Sequence, residues 1–338
     1  MGSLKSFIVT RVLLFFPILW FMLSMVFVLL RVIPGGNPIK TMYPQMPQSQ
    51  VDKISTELGL NDPLPVQYVN YLKDVIHFNF GTSLYTERKV AVEIIQPLGH
   101  TITLAILASI IGIPLGIYLG GFSGNNRENE KDQAIRIFNI AVYATPIFLL
   151  GIILQLIFSY LIPILPPNGV ISAGATGEFN PVTKIWLIDT MLAGRFDLTW
   201  DIIKHLLLPS IALGMLIATN IARQVRTHMI SQLEQDYVQY ARSRGIDENK
   251  VVYTYALKNA VLPVISLIGL TFALLLSGAI LTETVFNIPG LGRYVYEAIT
   301  QKDFPRTQGA IIIFTIFVNI ISLIADVIYA VLDPRVEF

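Results

Sequence analysis

The stretch "VLLFFPILWFMLSMVFVLL", residues 12–30, decides the fold class of this chain. It contains no charged residue and is bounded by Arg11 and Arg31, and a helix needs about 20 mainly apolar residues to cross a bilayer. Lys5 and Arg11 precede it as they would precede a signal peptide, but the run is too long for that and no small-residue cleavage pattern follows. We therefore predict a retained membrane-spanning helix.

Five more apolar runs of this kind follow along the chain: 101–122, 137–165, 205–222, 260–281 and 309–332. The run 137–165 is long enough to tilt or to break, and Pro146 and Pro163 are the predicted positions of a break. The chain is 53% hydrophobic and 14% charged, whereas a soluble domain carries about 25% charged residues. The predicted fold is an all-α integral membrane protein with six transmembrane helices.

The distribution of Lys and Arg predicts the orientation. If both termini lie inside the cell, the inner segments are 1–11, 123–136, 223–259 and 333–338, and their basic residues are about twice as dense as in the outer segments. We predict a multi-pass protein of the cell membrane, surrounded by lipid, with both termini cytoplasmic. A net charge of +1 argues against a nucleic-acid partner, and the absence of cysteine excludes disulfides and thiolate chemistry.

The predicted organisation has four parts: a first helix (1–33), a structured external segment (34–95), a core with five helices (96–332) and a cytoplasmic tail (333–338). Within the external segment, Pro63 and Pro65 precede a predicted amphipathic helix over 66–76. Residues 166–204 are rich in Gly, Pro and Asn and are predicted to form an ordered surface loop.

A polar stretch, "QDYVQYARSRGIDENKVVYTYALKNAVLP" at 235–263, separates the fourth and fifth apolar runs. Tyr237, Tyr240, Ala241 and Arg244 follow helical spacing. Gly245 suits a helix C-terminus with positive φ, and an N-cap at residue 247 would start a second helix. The pattern predicts two helices joined at a glycine corner. The segment is either a solvated cytoplasmic loop or a docking surface, since Tyr and Arg are enriched in binding hot spots.

Two further features concern the membrane runs. Glycines at 112, 116, 120 and 124 form a small-xxx-small ladder, which predicts close helix packing within the subunit or against a partner. Polar residues within the runs are costly in lipid and so are candidates for function; they are Asn139, Gln155, Asn220, Asn319 and Asp326. Hydrogen bonds to another helix are the favoured interpretation for Asn139 and Gln155. Asn220, which precedes the polar stretch, is the predicted pathway or gate residue.

The stretch "TETVFNIPGLGR" at 282–293 follows the fifth run. Irregular backbone at membrane depth is tolerated only where protein or a cavity shelters it. We interpret this stretch as a re-entrant segment at the outer mouth, with Glu283, Pro289 and Gly290 as gate residues; an ordinary turn is the alternative.

No catalytic or metal-binding site is predicted. The sequence contains no GxxxxGK[ST] phosphate-binding loop and no cluster with metal-ligand spacing. The "GFS" at 121–123 would need a base for protease chemistry, but all four histidines fall in loops or at the ends of runs. We predict that the chain is not an enzyme and binds no cofactor.

The segment "EQDYVQYARSRGIDENKVVYTYALKNAVLPVI" resembles the cytoplasmic "EAA" loop of ABC importer permeases, in the dipeptide/oligopeptide/nickel branch and its B-type subunit. Ala241 and Gly245 match the alanine and glycine of that loop, and Asn259, Ala260 and Pro263 match its ending. Lys258 stands where many permeases of the wider superfamily have a proline. The resemblance extends over nearly the whole chain, through "FIVTRVLLFFPILW", "HLLLPSIALG" and "SGAILTETVFNIPGLGRYVYEAI".

The resemblance implies that residues 223–259 form a coupling loop that docks into a groove of an ATP-binding subunit. Implied contacts are Tyr240, Ala241 and Gly245, with Arg242 and Arg244 pairing with partner carboxylates; Asp236 and Asn259 complete the implied set. The implied partners are a second homologous permease, two ATP-binding subunits that carry ATP and Mg, and an extracellular or periplasmic solute-binding protein.

The function implied by the resemblance is a permease that forms the translocation pathway for di- or oligopeptides. Similar permeases carry oligosaccharides or nickel, so the solute stays open. The alternative from a different class is a secondary carrier or channel. Such a protein more often shows charged coupling residues near mid-membrane or inverted repeats, and neither is visible in this sequence.

Overall fold

The computed structural model describes residues 4–32, 37–175 and 181–332. Regular structure in these ranges is helical, apart from one antiparallel bridge between Thr82 and Lys89. In chain order the α-helices are α1 (Leu4–Phe27), α2 (Pro38–Met42), α3 (Gln48–Glu57), α4 (Leu64–Ile76), α5 (Val90–Glu93), α6 (Ile95–Asn125), α7 (Glu130–Ala144), α8 (Ile147–Gln155), α9 (Trp186–Leu192), α10 (Phe196–Leu233), α11 (Asp236–Ser243), α12 (Glu248–Lys250), α13 (Leu257–Val285), α14 (Leu291–Thr300) and α15 (Phe304–Leu332). Three π-helical turns extend α1, α8 and α12: Val28–Val32, Leu156–Leu161 and Val251–Ala256.

Each of the six apolar runs falls on these helices, apart from the break at 145–146 and the last residues, 162–165, of the third run. Four stretches in the described residues are long and apolar enough to cross a membrane: Ile8–Val32, Val90–Asn125, Phe196–Leu233 and Phe304–Ile324. The pair α7–α8 makes a fifth if it is one span. The all-α membrane fold is thereby confirmed, while the count of six spans stays a prediction, because the side chains of 266–279 in α13 lie outside the described ones. The side chain of Asp326, a polar residue of the sixth run and a candidate for function, also lies outside the described side chains.

The third apolar run is broken at Pro146, as predicted. The axes of α7 and α8 differ by 103° across Thr145 and Pro146. Proline has no amide hydrogen to donate and its ring disfavours a helical conformation at the preceding residue. Thr145 is accordingly extended, with φ −82° and ψ 125°.

The connecting segments contain more helix than the sequence indicates. The predicted amphipathic helix is α4, which packs on α1: the Tyr71 hydroxyl donates to the Leu23 carbonyl at 3.0 Å. The prediction of a loop over 166–204 is wrong for its second half, because α9 lies within it and α10 begins at Phe196. The polar residues of 197–204 form the first turns of α10, since helical propensity does not end where hydrophobicity does.

The contact between α6 and α10 is unusually close because of the glycine ladder. A Cβ on Gly116 would lie 2.7 Å from Cβ of Ile221, and one on Gly120 would lie 2.7 Å from Cβ of Val225. Gly112 packs in the same way on Gly214 of α10. The ladder therefore packs within the subunit, which confirms the prediction of close helix packing and decides between its two alternatives.

A buried ion pair joins the same helices to α7. The Asp132 side chain is fully buried and accepts two hydrogen bonds from the Arg226 guanidinium, each 2.7 Å long. The Ser123 hydroxyl and the Glu128 amide also donate to this carboxylate. All the polar atoms of the carboxylate are thus satisfied, which is the condition under which a buried charge is tolerated.

We expect Gly116→Ala to lower the free energy of unfolding by about 1–3 kcal/mol, because the added methyl group overlaps Ile221 in a packed interface. Denaturant or thermal unfolding of the purified protein measures this. Ile110→Ala, on the exposed face of α6, is the control and should change stability much less. Equal losses for the two variants would contradict the close packing of the glycine face.

We expect Asp132→Ala to lower the free energy of unfolding by about 3 kcal/mol, because it leaves the Arg226 guanidinium without its partner. The control is Glu234→Ala, which removes an exposed ion pair with Arg127 and should cost about 0–1 kcal/mol. If both variants melted at the temperature of the unsubstituted protein, the ion pair would contribute nothing to the fold.

Candidate docking surface and polar cavities

Residues 236–256, here called the projecting segment, form the predicted helix–corner–helix. Helix α11 ends at Ser243, and Gly245 follows with φ +72°, in the left-handed region that favours glycine. Asp247 caps α12, because its carboxylate accepts from the Lys250 amide at 3.3 Å. The π-helical turn then leads directly into α13, whereas a short turn at Glu234 and Gln235 separates α11 from the end of α10.

The inner face of the projecting segment is apolar and buried. Val238, Val251 and Val252 are at most 1% exposed and cluster with Met229 of α10. Ala241 is 6% exposed and belongs to this cluster. The structure therefore places Ala241 against its own chain, where its small size permits α11 to approach the turn 251–256.

Asn259 also faces the projecting segment. Its amide donates to the Tyr237 hydroxyl at 3.2 Å, and that hydroxyl donates to Gln232 at 2.8 Å. These bonds join the start of α13, α11 and the end of α10. The sequence pattern assigns Tyr237 only to a helix face, whereas the structure shows it as the central link of this brace.

The outer face carries the exposed residues of the predicted docking set. Tyr240 is 65% exposed, and the Arg244 guanidinium lies over its ring at 5.8 Å from the centroid. Asp236 and Gly245 are exposed as well, and a Cβ on Gly245 would meet nothing within 4 Å. Arg242 pairs with Glu248 of its own chain at 2.7 Å, so it braces the glycine corner. The outer face therefore presents an aromatic ring and a cation, both available to a partner.

The stretch 282–293 folds around a buried carboxylate. Glu283 is fully buried, accepts from the Thr101 hydroxyl at 2.5 Å and accepts from the Arg293 amide at 2.8 Å. A Cβ on Gly290 would overlap the carboxyl group of Glu283, so only glycine fits at this position. The Leu291 amide in turn donates to the Thr101 hydroxyl at 2.8 Å. Glu283 thereby holds the start of α14 against α13 and α6.

Two adjacent cavities of about 660 and 400 Å³ open beside this turn, and Pro97, Pro289 and Tyr294 line both. The Arg306 guanidinium stacks over the Tyr294 ring at 4.4 Å, and burial raises the pKa of Tyr294 to about 12. The structure thus brings Glu283, Pro289 and Gly290 together. Pro289 and Gly290 border open space, whereas the carboxylate beneath them is enclosed.

Asn220 lies elsewhere, in a cavity of about 300 Å³ between α7 and α10. Its amide donates to the Leu216 carbonyl one turn earlier at 2.9 Å. Asn139 lines the same cavity, and its carbonyl oxygen has no hydrogen-bond partner, so the expected bond to another helix is not formed by that oxygen. Gln155 does make such a bond, to the Val285 carbonyl at the end of α13, and its amide also donates to the carbonyl of Pro167 in the loop after the third run.

We expect Glu283→Ala to release the start of α14, because the Arg293 amide and the Thr101 hydroxyl lose their acceptor. Hydrogen exchange of peptides that cover 288–296 should become faster. Glu297→Ala is the control, since it removes only a half-exposed ion pair with Arg293. Unchanged exchange in Glu283→Ala would show that the carboxylate does not hold this turn.

Comparison with known proteins identifies the family. Residues 112–338 match the family described as "Binding-protein-dependent transport system inner membrane component", and residues 4–105 match its N-terminal counterpart. The chain is 38% identical to the dipeptide transport system permease protein DppB of Alkalihalophilus pseudofirmus, over 98% of this chain and 99% of that protein.

Two other relatives are similar over comparable lengths. The di/tripeptide transport system permease protein DppB of Pseudomonas aeruginosa is 33% identical over 98% of each chain. The oligopeptide transport system permease protein AppB of Bacillus subtilis is 30% identical over 99% of this chain and all of that protein. With two family matches that together span most of the chain and relatives that align from end to end, this chain belongs to the family of inner membrane components of binding-protein-dependent transport systems.

Proposed function

We propose that the chain is the B-type permease subunit of an ATP-driven importer of di- or oligopeptides. The names of its relatives support this solute class, since those proteins are dipeptide, di/tripeptide and oligopeptide permeases. A second, similar permease completes the pathway, two ATP-binding subunits carry ATP and Mg, and an external solute-binding protein delivers the peptide. Both termini lie in the cytoplasm.

The main support for the proposal is the structure of the projecting segment. Its inner face is a buried apolar cluster, and its outer face offers Tyr240 and Arg244. It follows α10 after a short turn at Glu234 and Gln235 and runs directly into α13. A body of this kind passes a displacement on to the helices that it joins instead of absorbing it. The ATP-binding subunits would therefore move α10 and α13 through this segment.

We further propose that the pathway runs between two polar regions. Pro289 and Gly290 form part of the outer gate, where the turn is held from below by Glu283. Asn220 lies on the pathway near the cytoplasmic side, in the helix that leads to the projecting segment.

Reconstitution tests the function. The complete transporter, with both permeases, the ATP-binding subunits and the solute-binding protein, is placed in proteoliposomes. We expect uptake of the labelled dipeptide alanyl-phenylalanine that depends on ATP hydrolysis and on the solute-binding protein. Uptake by this chain alone without ATP would instead identify a secondary carrier.

We expect the pair Tyr240→Ala with Arg244→Glu to abolish co-purification of the ATP-binding subunits, because it removes the ring and reverses the charge of the outer face. Loss of a hot-spot aromatic side chain costs about 2 kcal/mol or more. Tyr85→Ala is the matched control, since Tyr85 is 68% exposed but lies far along the chain from the projecting segment. If the double variant still retained the ATP-binding subunits, the docking surface would lie elsewhere on this chain.

A further inference from the structure

The cavity between α7 and α10 is built from one stripe of each helix. Its α7 wall carries Arg136, Asn139 and Tyr143, which follow one another at three- and four-residue spacing. Its α10 wall carries Asn220 and Arg223, one turn apart. The facing stripes place two guanidinium groups and two amide groups around a space of about 300 Å³. That volume is at the lower limit of ligand pockets, which range from about 300 to 1,000 Å³.

The charge of this cavity is positive. A third guanidinium that lines it, Arg226, is neutralised by Asp132. Among the described residues, Arg136 and Arg223 form no ion pair with an acidic side chain, and Arg223 instead lies over the Tyr143 ring at 5.7 Å from the centroid. Two cations without an anion therefore face a cavity whose other charged member is already paired.

The amide groups of the cavity set a second requirement for its ligand. The carbonyl oxygen of Asn139 is buried and accepts no hydrogen bond, and a buried acceptor left without a donor is costly. A ligand that satisfies this cavity therefore brings an anion for the guanidinium groups. It also brings an N–H group for the Asn139 oxygen, which reaches the cavity when the side chain turns toward it.

The cavity also borders the break in the third span. Ala144, the last residue of α7, lines it, and the chain turns by 103° directly beyond. In membrane transporters, discontinuous helices border substrate sites, because the interrupted backbone is tolerated where it lines a cavity.

We propose that this cavity is a carboxylate subsite of the pathway and takes the C-terminal residue of the transported peptide. Arg136 and Arg223 bind the terminal carboxylate, since guanidinium and carboxylate groups match in geometry and form charge-assisted hydrogen bonds. Asn139 accepts the N–H of the terminal residue. The proposal rests on the proposed function, because it presupposes that a peptide passes through this permease.

Basic pockets between membrane helices also bind the phosphate of anionic lipids. A phosphodiester group offers acceptors to Arg136 and Arg223, but a donor for Asn139 would have to come from the head group beyond the phosphate. The terminal residue of a peptide offers both groups within a few bonds of each other. The helix break beside the cavity also favours a transported solute over a lipid, because discontinuous helices border substrate sites in membrane transporters. The peptide is therefore the proposed ligand, and the lipid becomes an outcome of the test.

The absence of cysteine from this chain provides the test. Ala144→Cys places a single thiol at the cavity wall, and the rate of its reaction with N-ethylmaleimide is followed on this chain in the complete, nucleotide-free transporter in proteoliposomes. We expect alanyl-phenylalanine to slow the reaction and alanyl-phenylalanine amide to have much less effect. Adding Arg136→Gln and Arg223→Gln should raise the half-protecting peptide concentration about tenfold or more, since a hydrogen bond to a charged group contributes about 1.5–3 kcal/mol.

Three controls accompany this measurement. Ala134→Cys is exposed on α7 outside the cavity, and the peptide should not protect it. Lys131→Gln removes a positive charge from the same helix outside the cavity and should leave protection of Ala144→Cys unchanged. An unaltered labelling rate without peptide shows that the arginine variants are folded, and Arg136→Lys with Arg223→Lys should retain part of the protection.

The outcomes separate this subsite from the function on which it rests. ATP-driven uptake of alanyl-phenylalanine is measured in the same vesicles. If uptake occurs but the amide protects as well as the acid, or the arginine variants protect normally, the carboxylate subsite is overturned and the function stands. Protection by phosphatidylglycerol alone would identify a lipid site instead. Absence of uptake in a complex that hydrolyses ATP would overturn the proposed peptide importer itself.

Discussion

The close contact between α6 and α10 is the constraint on which the rest of the structure depends. Glycines on α6 let the two backbones approach until the side chains of α10 fill the space above them. In lipid, helices gain little from hydrophobic burial against each other, so van der Waals contact of this kind is a main source of association. Every candidate site is placed relative to these two helices.

Each region of interest is attached to that pair by polar contacts. At one end, Thr101 of α6 joins the buried carboxylate of Glu283 and orients the turn that contains Pro289. At the other end, Arg226 of α10 binds Asp132 and positions α7, which completes the polar cavity. The projecting segment continues from α10 and is braced through Tyr237. A movement of α10 would therefore reach the cavity and the projecting segment together.

The projecting segment divides its residues between two tasks. Residues that the family resemblance groups together are separated here, with Ala241 and Asn259 facing inward and Tyr240 and Arg244 facing outward. The inward residues stiffen the segment, and the outward ones are available to a partner. Coupling needs both stiffness and a docking surface, because a docking surface on a flexible segment would move without moving the helices to which it is joined.

The sequence by itself determined the fold class, the helix break at Pro146, the glycine corner at Gly245 and the closely packed face of α6. Each of these follows from local rules: an apolar run long enough for a bilayer, a ring that cannot donate, a residue free to adopt positive φ, and small residues at helical spacing. Only the tertiary structure decided that Asp132 meets Arg226, that Glu283 lies beneath Gly290, and that Arg136 and Asn139 share a cavity with Asn220 and Arg223. Asp132 and Arg226, like the two stripes of the cavity, are far apart in the chain, and Glu283 meets Gly290 only because the chain turns between α13 and α14. These contacts depend on how helices cross and bend, which no local pattern encodes.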